Sequence, residues 1–227
     1  MSKISCILFD LDGTLLDSRE PIVDALYAMV QQYLPYRFTR AELLKRFGES
    51  FDDFYYQISD QISSDVTKEE LFQSYLKSMK SNHTDALKLF PSVCESLVQL
   101  KLLGYRLGIV TNKQREFVLK GLEQSGILDL FDTIVCVDDV NAGKPSPEPI
   151  VKAMDSLGVL PNQTMMVGDS RYDMIAARAA QVKCVLLEWY GQNKSQELLP
   201  DYCFSSFLEF LEIYIFTRNP QVEMGGK

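Results

Sequence analysis

The chain has 227 residues, 46% of them hydrophobic, and a formal net charge of −8 from 23 Lys and Arg against 31 Asp and Glu. Such a length and apolar content bury one substantial core with room for a smaller inserted domain, and they exclude a disordered chain or a repeat array. The acidic balance excludes sequence-independent binding to nucleic acid or to an anionic membrane, so an anionic ligand must be held by a few local cations and backbone N–H groups.

The opening MSKISCILFD passes within a few residues into a strand-like run without a charged-then-apolar leader, and a cytoplasmic location is the expectation. Residues 4–9 are predicted as a first buried parallel strand. It ends in Asp10-Leu11-Asp12-Gly13-Thr14, which sets two carboxylates two residues apart where open α/β sheets bind ligands. Carboxylates so close raise each other's pKa unless a cation intervenes, so either one is protonated or a metal is bound.

Helical spacing then takes over. Ile22, Leu26, Met29 and Tyr33 share one face, as do Leu71, Tyr75 and Met79, and similar patterns surround Leu43 and Phe54. The interval before the next strand is far longer than a usual crossover. It predicts an inserted helical domain over residues 18–85, leaving residues 1–17 and 86–227 as the core. His83, the sole histidine, is read as a surface residue near the second hinge.

Further strands are predicted over residues 106–110, 133–137, 164–167 and 183–187, separated by helices over 91–103, 114–124, 147–157 and 172–180. This alternation implies right-handed crossovers and an α/β fold with a doubly wound, five-stranded parallel sheet. The apolar stretch 204–216, interrupted by Glu209 and Glu212, is too short to span a bilayer and reads as a docked terminal helix. Five scattered cysteines without close pairs read as reduced, mostly buried thiols.

Three later loops repeat the pattern of polar groups at strand ends. Val110-Thr111-Asn112 offers a hydroxyl and backbone N–H groups at a helix start, and Gly143-Lys144-Pro145 offers an ammonium on a proline-stiffened loop. Gly168-Asp169-Ser170-Arg171-Tyr172-Asp173 sets carboxylates at i and i+4, which face one point if the second begins a helix. Hard oxygen ligands of this kind select magnesium, which pairs readily with a substrate phosphate. Each piece also has a plain structural reading, as an N-cap, a solvated lysine or a turn. Their joint order along one βαβ chain points to a phosphoryl site.

DLDGT, VTNK, GKPSPEP and VGDSRYD together resemble the four motifs of the haloacid dehalogenase superfamily, and the likeness spans essentially the whole chain. The inserted segment resembles the helical cap of the phosphoglycolate phosphatase-like branch. The resemblance implies a sheet order 5-4-1-2-3, with Asp10 as nucleophile and Asp12 as the acid that protonates the leaving oxygen and then the base that activates water. It implies magnesium held by Asp10, the Asp12 carbonyl and Asp169, with Asp173 positioning its waters. Thr111, the Asn112 N–H and Lys144 would bind the transferring oxygens. Gly13 and Thr14 would shape the turn beside the phosphate, a role at least as structural as chemical.

Dehalogenases lack the second Asp, so Asp12 argues against dehalogenation. Gln181 stands where the family commonly has Gly; in a left-handed conformation it would cost about 1 kcal/mol. The cap loop Arg46-Phe47-Gly48-Glu49-Ser50 matches the segment that reaches the leaving group in related enzymes. Gly48 would bring backbone close to the substrate. Arg46 either holds a substrate carboxylate or second phosphate, or is a solvated surface arginine. Lys113 is either a specificity contact or a solvated helix start.

The activity this implies is magnesium-dependent hydrolysis of a small phosphomonoester, phosphoglycolate or similar, through an aspartyl-phosphate. Inorganic pyrophosphate, a 5′-nucleotide, a sugar phosphate, or a phosphomutase reaction are the alternatives. A receiver-like phospho-switch shares the acids, Thr and Lys but carries its phosphoacceptor later in the chain and has no cap. The expected partner is a small phosphorylated metabolite, with no nucleic acid or membrane, bound by a monomer or homodimer.

Overall fold

The computed structural model of the protein describes residues 3–82, 88–191 and 195–216. Strand β1 (Cys6–Phe9) is four apolar residues, all fully buried, as a central parallel strand covered on both faces requires. The chain leaves the sheet along β2 (Leu16–Asp17), runs through α1 (Arg19–Tyr33), α2 (Arg40–Lys45), α3 (Phe51–Ile58) and α4 (Lys68–Asn82), and returns along β3 (Lys88–Leu89), which pairs with β2. The α/β alternation follows: α5 (Val93–Leu102), β4 (Arg106–Val110), α6 (Arg115–Gln124), β5 (Thr133–Val135), α7 (Glu148–Leu157), β6 (Thr164–Gly168), α8 (Arg171–Ala179) and β7 (Lys183–Leu187). A short α9 (Ser195–Leu198), β8 (Tyr202–Phe204) and α10 (Phe207–Glu209), continued as a π-helix over Phe210–Phe216, complete the described chain.

The main sheet runs β5-β4-β1-β6-β7-β8 with every neighbouring pair parallel. Its first five strands stand in the order the motif resemblance implies. Among the described residues the sheet has six strands where the sequence predicts five. β8 is three residues at the edge, too short for a periodic signal, and the sequence pattern assigns its Phe204 to the terminal helix. Backbone bonds fix it to β7: the Glu188 N–H donates to Phe204 and the Asp201 N–H to Cys184, at 2.9 and 3.0 Å. β5 stops at Val135 rather than residue 137 because the chain then turns into a 3₁₀ segment, Val137–Asp139.

The terminal helix docks through Phe207, whose ring stacks on Phe9 of β1 at 5.5 Å between centroids. Burying two such rings contributes about 1.5–3 kcal/mol each. α8 ends in a left-handed residue, Gln181, with φ 58°. The Val182 N–H reaches back to the Ala177 carbonyl at 3.0 Å and the Gln181 N–H to Arg178 at 3.0 Å, which is a Schellman closure. Gln181 thus occupies the strained position foreseen for it. All five cysteines are free thiols, with Cys6, Cys136 and Cys184 buried.

The chain divides into two units, Met1–Leu16 with Leu89–Lys227, and Asp17–Lys88. The second is helical and has its own core of Val23, Met29, Val30, Leu43, Phe54, Ile58 and Leu71. The division falls at residues 16/17 and 88/89; the predicted boundary near residue 85, and His83, lie outside the described residues. Among the described residues no helix is long and apolar enough to cross a membrane.

Candidate active site

The site grows from the carboxyl ends of β1, β4 and β6 and from the loop before α7. Beyond Phe9 the ladder continues one residue, with the Asp10 N–H donating to Val167 at 2.9 Å, so that the Asp10 side chain is fixed at the sheet edge yet buried. The chain then folds back tightly. Gly13 adopts φ 84°, a conformation that favours glycine, and the Leu15 and Leu16 N–H groups both donate to the Leu11 carbonyl at 3.0 and 2.9 Å. This turn buries Thr14 completely and sets its hydroxyl 3.4 Å from Asp10 Oδ2.

β4 delivers Thr111, buried, with its N–H on the Val135 carbonyl at 3.0 Å. The adjacent Asn112 clamps the lysine loop by its side chain: Nδ2 donates to the Lys144 carbonyl, and the Lys144 N–H to Oδ1, both at 2.7 Å. Gly143 is required beside this clamp, because a Cβ there would lie 2.6 Å from Asn112 Oδ1.

So held, Lys144 places Nζ 2.6 Å from Asp10 Oδ1, 2.6 Å from Asp173 Oδ1 and 2.8 Å from the Val110 carbonyl. All three ammonium protons have acceptors. Burial by itself would lower the Lys144 pKa, but Asp10 and Asp173 outweigh it and hold the ammonium charged above its ordinary range. Burial pushes the Asp10 carboxyl up to about 7; Lys144 opposes that rise, and Asp173 and Asp12 add to it.

β6 ends at Gly168, and α8 starts immediately. Ser170, the residue before that helix, ties Asp173 down: the Ser170 N–H and hydroxyl both donate to Asp173 Oδ2, at 3.1 and 2.6 Å. Asp173 is thereby turned inward rather than out to water. Carboxylate oxygens of Asp10, Asp169 and Asp173 lie within 4.8 Å of one another. Counted at their formal charges, Asp10, Asp12, Asp169 and Asp173 against Lys113 and Lys144 leave a deficit of −2 before any proton or cation is taken up. A hard divalent cation fits that deficit and that donor set. A second group, Cys136 with Asp138 and Asp139, does not read as a metal site. Burial pushes the Cys136 thiol up to about 12, and the two carboxylates already bind the Arg115 backbone and guanidinium.

The sequence-predicted residues of the sheet unit all come to this edge. Lys113 is not a solvated helix start, for its Nζ lies 2.9 Å from Asp12 Oδ1 with both side chains largely buried. The two cap residues belong to the helical unit. Arg46 is half-buried there: its guanidinium lies 5.5 and 5.8 Å from the ring centroids of Phe38 and Phe54 and bonds to Glu49 and Gln57. Gly48, at φ 91°, lines with it a cavity of about 70 Å³ formed also by Leu43, Phe54 and Tyr75. Sequence reasoning missed the Asn112 side-chain clamp and the Ser170 tie to Asp173; a polar residue just before a helix is the signal that could have found the latter.

The profile described as haloacid dehalogenase-like hydrolase matches residues 7–187 of this chain. The chain is 33% identical over 213 residues to Pyrophosphatase PpaX of Bacillus cereus (strain AH820), covering 93% of this chain and 96% of that protein. Among solved structures it is similar to a haloacid dehalogenase-like family hydrolase of Streptococcus pneumoniae, with TM-score 0.80, 27% identity and coverage of 94% of this chain and 100% of that one. It is similar also to a predicted phosphoglycolate phosphatase of Haemophilus somnus 129PT, with TM-score 0.79, 27% identity and coverage of 94% and 99%.

Proposed function

Since the chain belongs to the haloacid dehalogenase-like hydrolases, we propose that it is a magnesium-dependent phosphatase that hydrolyses a small phosphate ester, phosphoglycolate or similar, through an aspartyl-phosphate on Asp10. One observation carries the reading: a single buried ammonium, Lys144, bridges the strand-end Asp10 and the helix-start Asp173, with Asp169 in the same oxygen cluster. That is a nucleophile and a cation seat held in fixed register.

An Asp10 oxygen attacks phosphorus as the bond to the leaving oxygen breaks, and Asp12 gives that oxygen its proton. The Thr111 hydroxyl, the Asn112 N–H and Lys144 hold the non-bridging oxygens of the phosphoryl group. Asp12, now ionised, takes a proton from water as the water attacks phosphorus; phosphate leaves and Asp10 is restored. Lys113 fixes the Asp12 carboxylate for both turns of duty. Magnesium, bound by Asp10, Asp169 and the Asp12 carbonyl with Asp173 behind them, would supply charge neutralisation for phosphate in a site that is otherwise net negative.

The likeness to the Bacillus pyrophosphatases favours a second substrate, inorganic pyrophosphate. The same residues serve it, with a phosphate as leaving group. Purified protein with magnesium should release phosphate from phosphoglycolate, and kcat/KM measured beside pyrophosphate, 5′-nucleotides and sugar phosphates ranks the readings. A pyrophosphate value more than about tenfold higher, about 1.4 kcal/mol in transition-state binding, selects the second substrate. Full phosphate release in the presence of EDTA would end the metal assignment, and release by Asp10→Asn would end the nucleophile assignment.

A further inference from the structure

Trp189, the sole tryptophan of the chain, follows the end of β7 and belongs to none of the four motifs. Its indole N–H donates to the Thr14 carbonyl at 3.0 Å, although the two residues are 175 positions apart. Its ring stacks on Phe90, with centroids 4.3 Å apart and planes within 2°. The Phe90 N–H in turn donates to the Leu15 carbonyl at 3.0 Å. Thr14, Leu15, Phe90 and Trp189 therefore close a circuit of two hydrogen bonds, one aromatic stack and one peptide link.

The circuit holds the turn from which the nucleophile is addressed. Thr14 is completely buried, its carbonyl is taken by Trp189, and its hydroxyl faces Asp10 Oδ2 at 3.4 Å. A contact that long orients weakly unless the backbone carrying the hydroxyl is itself fixed. We propose that Trp189 is a positioning residue for phosphoryl transfer: by fixing the Thr14 backbone it aims the Thr14 hydroxyl at one Asp10 oxygen and leaves the other as the attacking atom. The second Asp10 oxygen, Oδ1, is the one on Lys144. Small displacements of an attacking group are costly to rate, so a residue outside the contact shell of the substrate can govern the chemical step.

This rests on Asp10 being the nucleophile, and the experiment separates the two claims. The probe is p-nitrophenyl phosphate with magnesium: stopped-flow release of p-nitrophenolate reads the phosphorylation rate, and rapid quench with intact mass reads covalent phosphate. Trp189→Phe keeps a ring on Phe90 and removes the N–H. It should lower the phosphorylation rate about tenfold while KM moves less than about twofold. In a Thr14→Val background the same substitution should cost less than about twofold, because the hydroxyl it aims is gone. A residue that merely packs would instead lower the melting temperature and give the same fold-change in both backgrounds, and that result overturns the inference, as does an unchanged rate in Trp189→Phe. If the phenylalanine variant does not fold, Trp189→Met, which also lacks the N–H, carries the same cycle. Wild-type protein that never bears phosphate on Asp10 overturns the catalytic reading, and this inference falls with it.

Discussion

The two units differ in how deeply they bury charge. In the helical unit Lys68 and Asp52 pair at 2.6 Å with side chains 45% and 65% exposed, and Arg40 meets Glu20 and Asp24 at the surface. In the sheet unit Lys144 and Asp173 pair at the same 2.6 Å with side chains 3% and 1% exposed. An exposed pair is worth about 0–1 kcal/mol, whereas a buried one must recover a desolvation cost of several kcal/mol per ion before it stabilises anything. A sheet this apolar gains nothing in stability from a core of like-charged carboxylates. Burying charge there is what the proposed phosphoryl transfer requires, whereas among the described residues of the helical unit no charged side chain is buried, as expected where packing alone decides.

The largest expected effect breaks the link between stability and function at Asp10. Asp10→Asn keeps the shape and removes one carboxyl from a cluster in which carboxyls outnumber ammonium groups, so the variant should fold with undiminished stability in urea titration while phosphate release falls to background. Asp12→Asn should lose roughly 10²–10⁴ in rate, the usual worth of general acid–base catalysis, and accumulate covalent phosphate visible by intact mass. A phosphoenzyme in the Asp10 variant would reverse these assignments.

Lys144→Met tests the comparison directly. It strands Asp10 and Asp173 in the interior, and metal-free protein should lose about 3–5 kcal/mol in a denaturant titration. Lys68→Met, across an identical distance in the helical unit, should lose about 0–1 kcal/mol. Equal losses would mean that burial is not what separates the two units.

The same contrast explains what was legible in the sequence. The central strands announced themselves because a strand buried on both faces is an unbroken apolar run, and Asp10 and Asp169 stood out as charges at the ends of such runs. The cap helices were legible because each buries one stripe. β8 and the paired β2 and β3, at three and two residues, are shorter than any period. Lys113 was opaque for another reason: its partner Asp12 is 101 positions away, and a lysine at a helix start is ordinarily solvated. The Asn112 clamp on Lys144, 32 positions distant, is hidden in the same way. Local pattern reveals burial, while pairing across the sheet edge appears only after folding.

Between the extremes of burial lies Asp139, which accepts from the Cys136 N–H at 2.8 Å and from the Arg115 guanidinium, anchoring the start of α6. Burial alone would raise its pKa, but Arg115 and the backbone N–H outweigh it and hold the carboxyl below its ordinary 3.8. A carboxyl depressed in the folded state gives stability that is fully present above its unfolded pKa and is lost as pH falls through the folded one. Asp139→Asn should therefore lower stability by about 1.5–3 kcal/mol at pH 7, with the difference from wild type shrinking below pH 4. Urea midpoints at pH 7 and pH 3 measure it, and a difference that stays constant would place the loss in packing.

The smallest effect concerns backbone rather than charge. Gln181 is a C′ residue at φ 58°, where a side chain crowds its own carbonyl and where glycine pays no such penalty. Its amide N–H and that of Val182 already close the helix end, so Gln181→Gly keeps both bonds and removes only the strain. Glycine also gains freedom in the unfolded chain, which offsets part of the benefit. The net expectation is a gain of about 0.5–1 kcal/mol, read as a rise in melting temperature with unchanged kcat and KM. Gln181→Ala, which keeps a Cβ and loses the rest, should gain nothing. If alanine stabilises as much as glycine, the penalty lies in the glutamine side chain and not in the left-handed backbone.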